Sequence, residues 1–182
     1  MTGARNRLTP DVVIEAVADL HGLAHVRSLF VEYVEWLGED LGFQGFEEEM
    51  ESFPGDYAPP EGVLLLARVG GSAAGAVGLR PLGDGACEMK RMYVRPPWRS
   101  LRIGRTLAER VIAEARRIGY RAMRLDTLER LTAAETLYRS LGFRRIDAYY
   151  DNPLDGVRYY ELDLTAPAAS ATSASVSASE GP

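Results

Sequence analysis

Cys87-Glu-Met-Lys-Arg-Met-Tyr-Val-Arg-Pro-Pro-Trp-Arg-Ser-Leu-Arg-Ile-Gly-Arg-Thr106 is the stretch on which the reading of this chain turns. Its first part, Cys87–Val94, is rich in apolar residues and reads as a strand. Pro96-Pro97 ends that strand, because proline has no N–H to give to a ladder. A short basic loop follows and opens directly into a helix that begins at Gly104. Strand, loop and helix start in this order make a site for a pyrophosphate. The loop N–H groups point at the anion, the helix dipole favours it, and Arg99, Arg102 and Arg105 bring positive charge. The plain alternative is an exposed basic turn before an ordinary helix. Three like charges gathered at one N-terminus repel one another unless an anion is present, which favours the anion site.

Outward from this stretch, the helix Gly104–Ile118 carries Leu107, Val111, Ala115 and Ile118 on one face, with Gly119 where a C-terminal cap belongs. Arg121–Thr127 reads as a strand, and Thr132–Leu141 as a helix closed by Gly142. Phe143–Tyr150 and Val157–Leu164 read as two strands around the turn-rich segment 151–156. On the N-terminal side, Val12–Val17 is a strand and His21–Leu41 a helix. Phe46–Glu51 is a shorter helix, and Pro54–Pro60 a loop. Gly62–Val69 and Ala73–Leu79 form a hairpin about Gly70-Gly71-Ser72, and Gly83-Asp84-Gly85 turns the chain into Cys87–Val94. The sum is an α/β fold of α+β type: a mixed, mostly antiparallel central sheet of about seven strands, flanked by about four helices. The reading makes residues 1–10 a flexible leader, 11–164 one domain, and 165–182 a disordered tail rich in Ala and Ser.

Composition narrows the class. One cysteine, Cys87, excludes an internal disulfide, and the two histidines, His21 and His25, lack an acidic or cysteine partner for a metal. No apolar run reaches the length of a membrane span and no signal-type segment is present, so a cytoplasmic protein is expected. A net charge of −5 argues against nucleic acid as a partner. Its distribution is uneven. Ser28–Ala67 holds ten acidic residues and no Lys or Arg, whereas Arg68–Arg145 holds seventeen basic and seven acidic residues. The second segment would draw a polyanion and the first a cation, unless both are simply solvated surface.

Two motifs carry a resemblance. Arg99-Ser-Leu-Arg-Ile-Gly104 resembles the acyl-CoA loop of the GNAT N-acetyltransferases, Arg/Gln-x-x-Gly-x-Gly/Ala, and Ala134-x-x-x-Tyr138-x-x-x-Gly142-Phe143 is similar to their closing motif. The order of elements from Val12 to Leu164 also resembles that fold. One departure stands out: Arg102 occupies the position of the first motif glycine. The resemblance implies acetyl-CoA as co-substrate, direct attack by an acceptor amine, and no metal. It implies donor binding through the backbone of Met92, Tyr93 and Val94, which would pair with the pantetheine arm, and through Arg99, Ser100, Leu101, Arg102, Ile103, Gly104, Arg105 and Thr106 around the pyrophosphate.

The same resemblance sets Tyr138 beside the departing sulfur as general acid, and Glu88 on the preceding strand as general base, two pleats from Met92 on one strand face. Each also has a structural reading: Tyr138 as a core tyrosine, Glu88 as the partner of Lys90 or Arg91. In this fold the first two helices and the last hairpin border the acceptor cleft, so the acidic segment makes a cationic small molecule or peptide the expected acceptor. A homodimer is a candidate assembly. Two rivals remain at this stage: a CoA-binding sensor or regulatory module without turnover, suggested by Arg102, and a nucleotide-phosphate binder using the same loop. The second lacks a Gly-Lys-Ser/Thr sequence.

Overall fold

Seven strands form one sheet in the spatial order β1-β2-β3-β4-β5-β7-β6. The computed structural model describes residues 11–166. The leader expected over residues 1–10, and the tail expected over 165–182 save its first two residues, lie outside them. The strands are β1 (Val12–Ala16), β2 (Val63–Val69), β3 (Ser72–Gly83), β4 (Ala86–Val94), β5 (Ala122–Leu128), β6 (Arg144–Ile146) and β7 (Val157–Asp163). The α-helices are α1 (Leu20–Leu37), α2 (Phe46–Glu51), α3 (Ile103–Ile118) and α4 (Thr132–Ser140). All neighbouring strands are antiparallel except β4 and β5, which α3 joins as a parallel crossover.

The sheet is covered on both faces, which is why β2 reads as the nearly unbroken apolar run Val63-Leu-Leu-Leu-Ala67. Val63, Leu65, Ala67 and Val69 pack with Leu107, Val111 and Ala115 of α3. Leu64 and Leu66 point the other way and pack with Val26, Leu29 and Phe30 of α1. A third, smaller apolar cluster joins Leu37, Leu41 and Leu128, with Tyr33, Leu131 and Leu154 against it.

Three differences from expectation bear on the site. Helix α1 stops at Leu37 rather than Leu41, because Gly38 takes a left-handed conformation (φ 71°) and returns its N–H to the Val34 carbonyl. Its start is fixed by Asp19, whose carboxylate accepts from the N–H groups of His21 and Gly22 at 3.0 Å. The strand expected over Phe143–Tyr150 is only Arg144–Ile146, since Tyr149 and Tyr150 leave the sheet for side-chain partners on other elements. Finally, β4 carries a bulge. Gly78 faces Lys90 but Ala76 faces Tyr93, so two residues of β4 oppose one of β3, and Arg91 sits there at φ 56°.

Candidate active site

The site begins where two strands part. β4 and β5 pair only at Ala86–Glu88 against Ala122–Arg124. Beyond Glu88 they diverge, and a cavity of about 430 Å³ opens between Met89–Val94 of one and Leu125–Leu128 of the other. The β5-facing edge of Met92, Tyr93 and Val94 therefore has no strand partner among the described residues. A free strand edge inside a cleft can accept an extended ligand with amide groups as its missing neighbour.

At the Val94 end of this edge lies the start of α3. Pro96–Leu101 form a short 3₁₀-helix, and Arg102 is the N-cap of α3 in a left-handed conformation, φ 59° and ψ 16°. Thus the arginine follows the path that a glycine would follow there. No side chain caps the helix and its first turn has no acidic residue. Thr106 returns both its N–H and its hydroxyl to the Arg102 carbonyl. The preceding N–H groups, of Ile103, Gly104 and Arg105, are the donors that an α-helix leaves open. Gly104 lines the cavity, beside Val94 and Leu137.

The three arginines are not equivalent. Arg102 is exposed and has no carboxylate partner among the described residues. Arg105 bonds Ser140 Oγ at 2.6 Å and Glu109 at 3.2 Å. Arg99 turns toward α1: its guanidinium lies 4.6 Å from the Trp36 ring centre, and its Nε donates to the Val94 carbonyl at 2.9 Å. Ser100 is exposed, Leu101 half-buried, and Ile103 is core. Only the backbone of Ile103 can face a ligand.

Tyr138 projects from α4 into the cavity wall and stands edge-on to Phe143, with ring centres 5.8 Å apart. Its hydroxyl takes part in no hydrogen bond among the described residues. Burial, and then the nearby charges of Tyr33 and Asp126, push its phenol well above the ordinary range. At neutral pH it keeps its proton.

Glu88 is placed differently from the expectation. The bulge at Arg91 reverses the alternation of β4, so Glu88 points to the α1/α2 side while Met92 packs against the α3 side. Glu88 does not line the cavity. It is 1% exposed and tied on both oxygens, by Arg80 at 2.8 Å and by the Tyr149 hydroxyl at 2.7 Å, with Lys90 at 3.7 Å. It is the centre of a chain of ion pairs. Lys90 reaches Asp126 at 3.1 Å, Arg80 also reaches Glu49 at 4.0 Å, and Glu49 holds Arg91 at 3.1 Å. Three cations and three carboxylates balance.

Asp126 was not legible as a site residue, yet it is the one carboxylate that lines the cavity among the described residues. Its charge raises the phenols of Tyr33, Tyr138, Tyr149, Tyr150 and Tyr159, burial being the larger cause for each. Gln44 and Asn152 complete that end by donating to the Tyr150 hydroxyl at 3.1 and 2.9 Å.

Three of the ten acidic residues of Ser28–Ala67 are taken up in ion pairs. Glu32 binds Arg95, Glu39 binds Arg130 and Glu49 binds Arg91. The other seven acidic residues of Ser28–Ala67 are exposed, and none of the ten lines the cavity. The premise behind a cationic acceptor, an acidic cleft wall, does not hold in the fold.

Comparison with known proteins agrees with this geometry. The family described as acetyltransferase (GNAT) matches residues 30–143, a span that includes the free β4 edge, the α3 start and Tyr138. The chain belongs to the GNAT acetyltransferase family. By family it is an acyltransferase. It is 40% identical over 157 residues to an uncharacterised N-acetyltransferase of Schizosaccharomyces pombe, covering 85% of this chain and 96% of that one. An uncharacterised N-acetyltransferase of Dictyostelium discoideum is 32% identical over 215 residues, covering 84% and 100%. Among solved structures, a putative acetyltransferase of Salmonella typhimurium with its cofactor acetyl-CoA has the same fold, at a TM-score of 0.60 and 21% identity, covering 87% and 97%.

Cys87, His21 and His25 of this GNAT chain lie away from the cavity lining. Cys87 is fully buried, and burial pushes its thiol up to about 12, so it stays an unreactive thiol. His21 and His25 bring their Nε2 atoms within 3.2 Å on an exposed face of α1. Among the described residues no three His, Cys, Asp or Glu side chains converge to hold a metal ion, and no helix is long and apolar enough to cross a membrane.

Proposed function

We propose that this protein is an N-acetyltransferase that moves an acetyl group from acetyl-CoA to the amine of a small molecule or peptide by direct attack, in the cytoplasm. One observation carries the reading: the partnerless edge of Met92–Val94 leads to the uncapped start of α3, with Tyr138 on the wall between them. These residues fit the donor. The strand edge offers main-chain partners to the amides of the pantetheine arm. The N–H groups of Ile103, Gly104 and Arg105 face the pyrophosphate, with Arg102 free to add its guanidinium. Ser100, Leu101 and Thr106 shape the rest of the turn.

Tyr138 is the general acid. Its raised phenol is protonated at neutral pH and unengaged, so it can donate to the departing thiolate. The proton acceptor, expected at Glu88, falls better to Asp126. An amine with a reference pKa near 10.4 arrives as an ammonium, and Asp126 is the carboxylate with access to the cavity. Lys90 holds Asp126 in place, and Glu88 anchors Lys90 and Tyr149 behind it. The sensor reading rested on Arg102, and the left-handed backbone at that residue removes its main support.

The test is acetyl-CoA-dependent release of free thiol with a panel of amines, using wild type and Tyr138→Phe. The proposal expects a fall in kcat of about 100-fold for Tyr138→Phe, the lower end of general-acid contributions, with acetyl-CoA affinity unchanged within threefold. Undiminished turnover by Tyr138→Phe removes the acid role. Donor binding without transfer to any amine favours the sensor.

A further inference from the structure

The geometry points to an acceptor that is a single primary amine on an apolar body of roughly aromatic size, its amine received by Asp126. This rests on the acetyltransferase reading of the same cavity and narrows the cationic small molecule or peptide that the sequence suggested.

The first observation is the third apolar cluster. Leu37, Leu41 and Leu128 form a cluster separate from the two cores that hold the sheet, Leu131 and Leu154 pack against it, Tyr33 bridges it to the α1-side core, and all six also line the cavity. They come from the end of α1, the end of β5 and the loop before β7. Apolar side chains that face a cavity from three separate elements are there to bury an apolar ligand. Lys90 marks the inner end of this region on β4, two residues before Met92, where the donor edge begins.

The second observation is charge. Every ionic group at that end already has a partner: Lys90 with Asp126, Arg91 with Glu49, and Arg130 with Glu39 at 2.9 Å and the Leu37 carbonyl at 2.7 Å. Among the described residues lining the cavity, a second ammonium on a polyamine would find no carboxylate besides Asp126, only Lys90, Arg91 and Arg130. A carboxylate on the acceptor would have to displace one of the existing pairs. One ammonium can be accommodated, because Asp126 can share its carboxylate between Lys90 and the ligand and then take the proton. No bond to the enzyme forms: the ammonium gives one proton to Asp126, the freed amine nitrogen bonds the acetyl carbon, the carbon–sulfur bond breaks, and the thiolate takes a proton from Tyr138. The second nitrogen proton restores the Tyr138 phenol, and Asp126 passes its proton to solvent.

The third observation is size. About 430 Å³ lies near the small end of ligand sites, which run from roughly 300 to 1,000 Å³. A donor arm must share it. What remains suits a compact body rather than a folded polymer.

The experiment compares phenethylamine and tryptamine with spermidine and with glutamate as acceptors, under saturating acetyl-CoA, by thiol release. Acetyl-CoA binding is measured separately by calorimetry. The expected result is a kcat/KM at least tenfold higher for the two aryl amines than for spermidine or glutamate. A second expected result is a loss of about 100-fold in Asp126→Asn, partly regained as pH rises toward the free amine's pKa. Retention of donor affinity in Asp126→Asn shows that the variant is folded. Donor binding with spermidine or glutamate preferred, or with no transfer to either aryl amine, overturns this inference and leaves the acetyltransferase proposal standing. Absence of donor binding overturns both.

Discussion

Arg102 offers a test of the loop that is independent of turnover. Its backbone lies at φ 59°, a region that costs an L-residue roughly 1–2 kcal/mol and glycine almost nothing. Glycine also loses more freedom on folding, by roughly 0.5–1 kcal/mol relative to alanine. The difference leaves Arg102→Gly more stable than Arg102→Ala by about 0.5–1 kcal/mol. For a domain of this size that is a melting shift of roughly 2–4 °C per kcal/mol. The side chain is exposed and without a carboxylate partner among the described residues, so its loss has little stability cost of its own. Donor binding should move the other way. Both variants lose the guanidinium, and both should bind acetyl-CoA about fivefold more weakly than wild type, near 1 kcal/mol, the low end for an exposed charge-assisted contact. Thermal melts and calorimetric titration of the three proteins supply the numbers. Equal melting temperatures for the alanine and glycine variants would refute the strained backbone. Tighter binding by Arg102→Gly than by wild type would refute the stabilising part given to the guanidinium.

Two further predictions concern the buried charges and phenols. Glu88→Ala strands Arg80 and Lys90 and should lower stability by about 3 kcal/mol, the low end for breaking a buried pair because Arg80 is partly exposed. Glu88→Gln should lower it less and keep kcat/KM within tenfold of wild type, whereas a 100-fold loss in a well-folded Glu88→Gln would return the proton acceptor to Glu88. Tyr33 is pushed up to about 12 by burial, and then by the Asp126 charge, while Tyr138, Tyr149 and Tyr150 are held above their ordinary range by burial and neighbouring charges. Below their unfolded value of about 10, both states hold the proton and the stability is fully present. As pH rises past 10 the unfolded chain deprotonates first, so stability falls. Urea midpoints should be flat from pH 8 to 9.5 and decline above pH 10, less steeply in Tyr138→Phe; a flat profile to pH 11.5 would show these phenols to be solvated.

What the sequence revealed and what it hid follow from the range of the interactions involved. The α3 start, the turn glycines and the apolar alternation of β2 are local, so the seven strands and four α-helices and their order were readable. The bulge at Arg91 was not. No glycine or proline marks it, and it depends on how Gly78 and Ala76 pair across the ladder. That single extra residue moved Glu88 to the opposite face from Met92. Charge pairing is also nonlocal: Glu49 and Arg91 are 42 residues apart, and Glu39 and Arg130 farther still. Read along the chain they belong to an acidic and a basic segment; folded, three of the ten acidic residues pair with the basic segment and the rest lie away from the cavity lining. Asp126 reads as an ordinary polar strand residue, and only the parting of β4 and β5 brings it to the cavity wall. Tyr149 and Tyr150 continue a β-favouring pattern, but their hydroxyls find Glu88, Gln44 and Asn152 instead of a ladder.

The central claim, that the parted strands and the start of α3 form a donor site, is tested most directly by calorimetric titration of the wild-type protein with acetyl-CoA and with CoA. The account predicts one site per chain with a micromolar dissociation constant, about −8 kcal/mol, and competition between the two ligands. Heat changes indistinguishable from dilution, at protein and ligand concentrations well above that constant, would contradict it.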